Sequence, residues 1–186
     1  MKYILALLCG LAVSSSAFAQ NYGGLLGFHQ TDADIDGTAA GASIDGKLNF
    51  KAGLAVSFEL MPMGFFRTGA LYNQRAFEVK TAGGNYDYKF AYLDIPANFQ
   101  YGFNEMFALY GGLTVAVNIA DDVSEPAGAA AIDPDADTMI PLLDLGVNLT
   151  FDDMVGFDFY YQRGLGGFAE DLENYNSFGA NFIYWF

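Results

Sequence analysis

A closed, eight-stranded antiparallel β-barrel that crosses a membrane, all-β throughout, is the fold class this sequence predicts, and three observations predict it. The chain is 53% hydrophobic and 17% aromatic but only 16% charged, against roughly a quarter charged in an ordinary soluble domain. No uninterrupted apolar stretch approaches the roughly 18 to 20 residues that a membrane-spanning helix requires. Instead, apolar residues return at every second position in segment after segment, the period of a strand with one apolar face. With 18 Phe, 12 Tyr and 22 Gly in 186 residues, the chain is too apolar for disorder and too poor in Glu, Lys and Ala for a coiled coil. The length predicts one domain. Twenty-two acidic residues against 8 basic give a net charge of -14, which repels phosphate and argues against nucleic acid as a partner.

Residues 1–19 read as an address. Lys2 supplies a basic start, Tyr3 to Val13 an apolar core, and Ala17-Phe18-Ala19 the small-x-small pattern of a secretory cleavage site. The expectation is a cleaved signal peptide over 1–19 and a barrel domain over 20–186, beginning at Gln20. Cys9, the one cysteine of the chain, lies in the signal core, so the exported domain must hold together without a disulfide.

The strands follow in order. Tyr22 to Thr31 is a first, less regular one. In Leu48 to Phe58 the residues Leu48, Phe50, Leu54, Val56 and Phe58 fall on one face, and Asn49, Lys51 and Ser57 on the other. Phe65 to Val79 and Tyr86 to Phe103 are less regular, the second with a phase slip expected near Tyr92. Phe107 to Ile119, Leu143 to Phe151, Val155 to Gln162 and Ser177 to Phe186 alternate cleanly. The polar faces hold mostly Gly, Asn, Ser and Thr with few charges, which suits a cramped lumen better than a wet surface, so lipid is placed on the apolar side.

Connections alternate in length as outer-membrane barrels require. The short ones are Glu59 to Gly64, Asn104 to Met106 and Asp152 to Met154; the long ones are Asp32 to Ile44, Lys80 to Asn85, Asp121 to Thr138 and Gly164 to Tyr175. With both termini in the periplasm, the short turns are periplasmic and the longer, acidic loops extracellular. Tyr22, Tyr101, Phe103, Tyr161, Tyr184 and Trp185 are expected to form the interfacial girdles.

Tyr92-Leu93-Asp94-Ile95-Pro96, Leu71-Tyr72-Asn73-Gln74-Arg75 and the closing Tyr184-Trp185-Phe186 resemble the outer-membrane β-barrel family that includes PorT-like proteins and is close in architecture to the OmpX and OmpA barrels. The resemblance implies a Gram-negative outer membrane, a setting of lipid and lipopolysaccharide, and insertion by the barrel-assembly machinery, which recognises a terminal aromatic strand like Phe178 to Phe186. It implies no catalytic activity.

Eight strands enclose an interior that side chains just about fill, so the lumen is expected to be plugged. Lys51, Arg67 and Arg75 point inward on the strand phases, as do Asp94, Asp144 and Asp158, with Arg75 roughly level with Asp94 as the expected ion pair. His29, the one histidine, could be written with Asp32 and Ser43 as the set of a lipid A-modifying barrel enzyme, but nothing in the spacing demands it. Asp32-Ala33-Asp34-Ile35-Asp36-Gly37 reads as the first half of a calcium loop without its closing Glu, Ser43 standing at the twelfth position, and Asp133 to Asp137 repeats the carboxylate spacing. Thirteen acids fall within the stretches from Asp32 to Asp45, Asp121 to Asp137 and Glu170 to Glu173. The expectation is therefore a small non-enzymatic barrel with a structural or surface-interaction role through those loops, toward an extracellular partner whose nature is open. It carries no catalytic residue, cofactor or dedicated metal site. A transport component, as a narrow pore or secretion accessory, is the alternative.

Overall fold

The structure is a computed structural model that describes residues 20–35, 43–81, 84–124, 137–152, 154–166 and 172–186. The signal segment lies outside the described residues. Nine strands run in chain order: β1 (Gln20–Ile35), β2 (Ser43–Gly46), β3 (Leu48–Met61), β4 (Gly64–Thr81), β5 (Gly84–Gly102), β6 (Phe107–Ser124), β7 (Met139–Phe151), β8 (Val155–Gly164) and β9 (Leu172–Trp185). Each pairs antiparallel with its neighbours, β1 meets both β3 and β9, and the β4–β5 pairing closes the ring. Elements β2 and β3 are one barrel strand broken at Lys47, so the nine elements make eight staves. Gly46 faces Phe77 whereas Lys51 faces Asn73, leaving one extra residue on that strand: a bulge. Lys47 stays bonded on both sides, donating its N–H to Ala76 and accepting from Thr31.

Around the ring, hydrogen-bonded partners lead from Ile140 through Ala116, Asp94, Leu71, Gly53, Leu25, Ile183 and Gly156 to Thr150. The circuit leaves β7 at residue 140 and returns to it at residue 150. A stagger of that size over eight strands tilts them by roughly 40° from the barrel axis, as closed barrels require. One end of the barrel carries Gln20, Phe186 and the short connections; we call it the terminal end, and the opposite end distal.

The alternation has the predicted phase. Leu48, Phe50, Leu54, Leu113, Leu145, Phe157, Phe159, Phe178 and Phe182 stand exposed on the outer wall, whereas Asn49, Lys51, Arg67, Asn73, Arg75, Asp94, Asp144, Asp158 and Asn181 are buried inside. An apolar exterior around a polar interior is the reverse of a soluble fold, and it is stable only with lipid outside. Tyr22, Tyr101, Phe103 and Tyr184 are exposed near the terminal end, as girdle residues should be. Trp185 is not among them. It lies on the inward phase of β9 and packs against buried Leu25, Leu71 and Ile183. Tyr161, half-buried, packs against Phe178 with ring centroids 4.8 Å apart and planes tilted by 42°, on the outer wall near the distal rim.

Three further expectations are corrected. The connection from Lys80 to Asn85 is not a long loop: β4 and β5 stay paired as far as Thr81 and Gly84, so this hairpin is strand almost to its tip. The phase slip falls on the other strand. Ala91 pairs with Ala120 and Tyr92 with Asn118, so Ile119 of β6 is the extra residue, while Phe90, Tyr92, Asp94, Pro96 and Asn98 of β5 all stay inward. Tyr92 misleads because it is an aromatic on the lumen side. The third correction concerns the lumen itself, which is not polar along its whole length. Phe77, Phe90, Tyr92, Ile140, Leu142 and Tyr175 form one buried apolar cluster with Ala33 and Ala116, and the stagger of the strands sets most of it toward the distal end.

Candidate functional site

The interior is layered. Nearest the terminal end, Arg67 reaches across from β4 to Asp158 on β8, with Nη1 to Oδ1 at 3.1 Å and Nη2 to Oδ2 at 2.9 Å. Three strands separate β4 from β8 in either direction around the wall, and only closure brings these residues face to face. Asn148 and Asn181 donate to the same carboxylate at 2.8 and 3.3 Å, so Asp158 has all its lone pairs engaged, as a buried charge must. Farther in, Arg75 Nη2 binds both oxygens of Asp94 at 2.8 and 3.0 Å, and Asn73 donates to Oδ2 at 2.6 Å. Arg75 Nε also donates to the Tyr175 hydroxyl at 3.1 Å.

The remaining two luminal charges do not form a direct pair. Lys51 Nζ sits 3.6 Å over the ring of Tyr160, and Asp144 accepts from Thr114 and from Asn98. Aromatic faces attend every luminal cation: Arg67 lies 4.4 Å from the Tyr110 centroid and Arg75 4.7 Å from that of Tyr92. These contacts use the ring quadrupole where a second carboxylate would leave the lumen with excess charge. Glycine makes room for two of those rings. A Cβ at Gly146 would come within 2.5 Å of the Tyr110 ring, and one at Gly179 within 2.5 Å of the Tyr160 ring. Tyr110 and Tyr160 are the cross-strand partners of Gly146, and Tyr160 is also that of Gly179. Among these packed side chains the central lumen leaves a cavity of about 30 Å³, bordered by Lys51, Tyr160, Asp144 and Gln162.

Sequence phase placed all six luminal charges correctly and anticipated the Arg75–Asp94 pair, but not its offset in register. Arg75 faces Phe90 and Asp94 faces Leu71 across the ladder. The rim set is not assembled either. His29 is buried on the lumen side, opposite Asn49 and Gly179, whereas Asp32 and Ser43 are exposed. Adjacent parity on β1 turns His29 and Asp32 to opposite faces of the wall, so no nucleophile–base–acid relay joins them.

At the distal rim the bulge at Lys47 turns that side chain outward. Asp45 and Asp87 flank Glu78 across the ladder, and three adjacent carboxylates would repel. Lys47 bridges Asp87 at 2.5 Å and Glu78 at 3.7 Å, and Lys80 bonds Asp45. The Asp45 carboxylate raises the pKa of Lys80, through their hydrogen bond first and their charges second. Part of the acidic rim is thus neutralised in place, which sequence spacing could not reveal because the partners are 35 and 40 residues apart. No group of three or more potential metal ligands occurs among the described residues. Asp36 and Gly37 of the first repeated-carboxylate motif, and Asp133 to Ala136 of the second, lie outside the described residues.

An inside-out barrel of eight staves, with a charge-paired interior and girdle aromatics, defines the class of small outer-membrane barrels. Residues 18–170 match the outer membrane protein beta-barrel domain family, and the chain belongs to that family; it is an outer-membrane protein. Among solved structures it is similar to Neisserial surface protein A, with a TM-score of 0.56 and 14% identity over 90% of this chain and 99% of that one. It is also similar to OprG from Pseudomonas aeruginosa (TM-score 0.53, 15% identity, 91% and 97% covered). A third is Ail of Yersinia pestis in complex with the heparin analogue sucrose octasulfate (TM-score 0.52, 15% identity, 90% and 99% covered). At such identities the likeness is one of fold. No curated protein matches the chain.

Proposed function

We propose that this chain is a non-conducting, non-enzymatic outer-membrane barrel that acts through its distal surface, with both termini in the periplasm and the hairpin end outside the cell. The observation that carries the reading is the interior, where two buried guanidinium–carboxylate pairs are stacked beneath an apolar cluster and the central free volume is about 30 Å³. That is about the space of a water molecule and far less than a hydrated ion or solute needs. Orientation is supported by the four basic residues of the outer wall: Lys47, Lys80, Lys89 and Arg163 all stand toward the distal end, where anionic lipopolysaccharide would meet them, while Glu59, Glu105 and Asp152 are exposed at the other end. The acids of the distal loops exceed those bases, which favours a basic partner or shared divalent counter-ions there.

The experiment is twofold. Purified protein in planar bilayers is expected to give no stable ohmic steps, and protease or thiol labelling of whole cells is expected to reach residues near Gly84 but not Asn104. Stable conductance would overturn the closed reading in favour of a transport component, and labelling at Asn104 would reverse the orientation. Lipid A of unchanged mass, with and without the protein, is expected for a barrel that performs no lipid chemistry.

A further inference from the structure

The terminal mouth of the barrel holds a second feature that the surface role does not use. A cavity of about 480 Å³ opens there, within the usual size range of small-molecule sites. Its walls come from seven strands and two turns, and those turns are braced. Asn104 Oδ1 accepts from the N–H groups of Met106 and Phe107 at 2.9 and 2.8 Å, Gly102 donates to Met63 at 2.8 Å, and Thr150 donates to Met106 at 2.8 Å. Behind the walls stands the Arg67–Asp158 pair, tied to the lining by Asn148, which accepts from Thr150 Oγ1 at 2.8 Å and from Gln100 at 3.4 Å. The mouth is therefore preorganised, which lowers the cost of ordering it around a ligand.

Its chemistry is narrow. Asn21, Ser57, Gln100 and Thr150 present neutral amides and hydroxyls, and Phe65 and Trp185 present rings. Glu105 is the one charged residue among the described lining, and no base occurs among those residues. An anion would meet no cation and would face the acids at this end. A cation would meet a single exposed carboxylate with the Arg67 guanidinium buried beyond the lining. A wholly apolar molecule would strip water from the amides without replacing their hydrogen bonds. What satisfies both halves is an uncharged molecule with many hydroxyl or amide groups and at least one apolar face.

We infer that the terminal mouth is a binding site for a neutral saccharide, one face stacked on the Trp185 and Phe65 rings and its hydroxyls bonded to Ser57, Gln100 and Asn21. The inference stands apart from the distal surface role, since the two sites lie at opposite ends of the barrel and share no residue.

Trp185 is the single tryptophan of the chain, so its emission reports on this site alone. The full barrel, folded in a phosphocholine detergent that carries no sugar headgroup, is titrated with N,N′-diacetylchitobiose while Trp185 emission and saturation transfer to the sugar protons are recorded. A saturable spectral change with saturation transfer is expected, weakened about tenfold in Gln100→Ala, the worth of one hydrogen bond to the ligand. A distal variant, Lys80→Ala, is expected to bind as the parent does, and heat-modifiable gel migration of each variant establishes that it is folded. No emission change and no saturation transfer at tens of millimolar sugar would overturn the inference. So would an equal response to an uncharged alkyl alcohol, or unaltered binding by folded Gln100→Ala.

Discussion

Arg75 and Asp94 sit on neighbouring strands but not opposite one another: across the β4–β5 ladder Arg75 faces Phe90 and Asp94 faces Leu71, yet Nη2 of the arginine holds both carboxylate oxygens within 3.0 Å. The long guanidinium arm runs along the barrel axis from the apolar distal cluster down to the carboxylate, with the Tyr92 and Tyr175 rings beside it. Both members are buried, at 0% and 1% side-chain exposure. A pair so fully removed from water is costly unless its other polar atoms are engaged: Asn73 donates to the carboxylate and Nε donates to the Tyr175 hydroxyl, while Nη1 has no hydrogen-bond partner among the described residues.

Removing one member should therefore be costly. Asp94→Ala leaves a buried guanidinium without its counter-charge and is expected to lower unfolding stability by about 3–5 kcal/mol. The double change Arg75→Met with Asp94→Leu should recover most of that loss. Urea unfolding in lipid vesicles measures both. Equal stability of the single variant and the parent would show that water reaches the pair.

The luminal lysine should behave differently. Lys51 rests on the Tyr160 face without a carboxylate within ion-pair distance among the described residues, so Lys51→Met forfeits a cation–π contact worth up to about 2 kcal/mol and keeps an apolar chain over the ring. The same unfolding assay should rank Lys51→Met well below Asp94→Ala in cost. The reverse order would mean that Lys51 balances a carboxylate at longer range.

Closure predicts a gel phenotype. Every stave of the described wall is paired with a neighbour on both sides, so the folded state should survive detergent at room temperature and open only on boiling, giving two mobilities. A single mobility, in protein that fractionates as soluble, would contradict a membrane barrel.

Phe186 closes the ring at its seam, its N–H donating to Tyr22 at 2.8 Å while its side chain is 74% exposed. If the terminal aromatic is part of an insertion signal, as the family resemblance implies, Phe186→Asp should reduce the level of protein assembled in the outer membrane far more than it destabilises barrel folded from purified chain, because the exposed side chain packs little. Comparing cellular levels with refolded stability tests this; normal levels of the variant would remove the terminal aromatic from the assembly signal.

The acidic loops make a salt-specific prediction. If they share divalent ions without a dedicated site, calcium in the millimolar range should raise thermal stability by mass action with no saturable stoichiometry, and Asp34→Asn should change little. Calorimetry in calcium against matched sodium chloride measures this. One ion bound per chain, lost in Asp34→Asn, would establish a true site in the first distal loop.

Strand order, the inward set of Lys51, Arg67, Arg75, Asp94, Asp144 and Asp158, and the outward wall of Leu and Phe follow from the sequence by itself, because side chains in a strand alternate and lipid outside with a narrow lumen inside leaves one assignment for each parity. The Arg75–Asp94 pair is legible as well, from the order of their strands, whereas tertiary structure decides the pair across the lumen and the offset within this one. Arg67 finds Asp158 from 91 residues away because the sheet closes, and Arg75 finds Asp94 off register because a tilted strand displaces neighbours along the axis. The bulges at Lys47 and Ile119 and the apolar distal cluster were likewise beyond a reading by period two, whereas Trp185 shares the parity of Ser177, Asn181 and Ile183, so that the period itself turns it inward and only its expected girdle role is overturned. A bulge is one residue's departure from that period, and an aromatic on the lumen side looks the same in sequence as one facing lipid. Alternation is a local property of the backbone and is written in the sequence. Contact across a lumen depends on closure and stagger, which no single strand specifies.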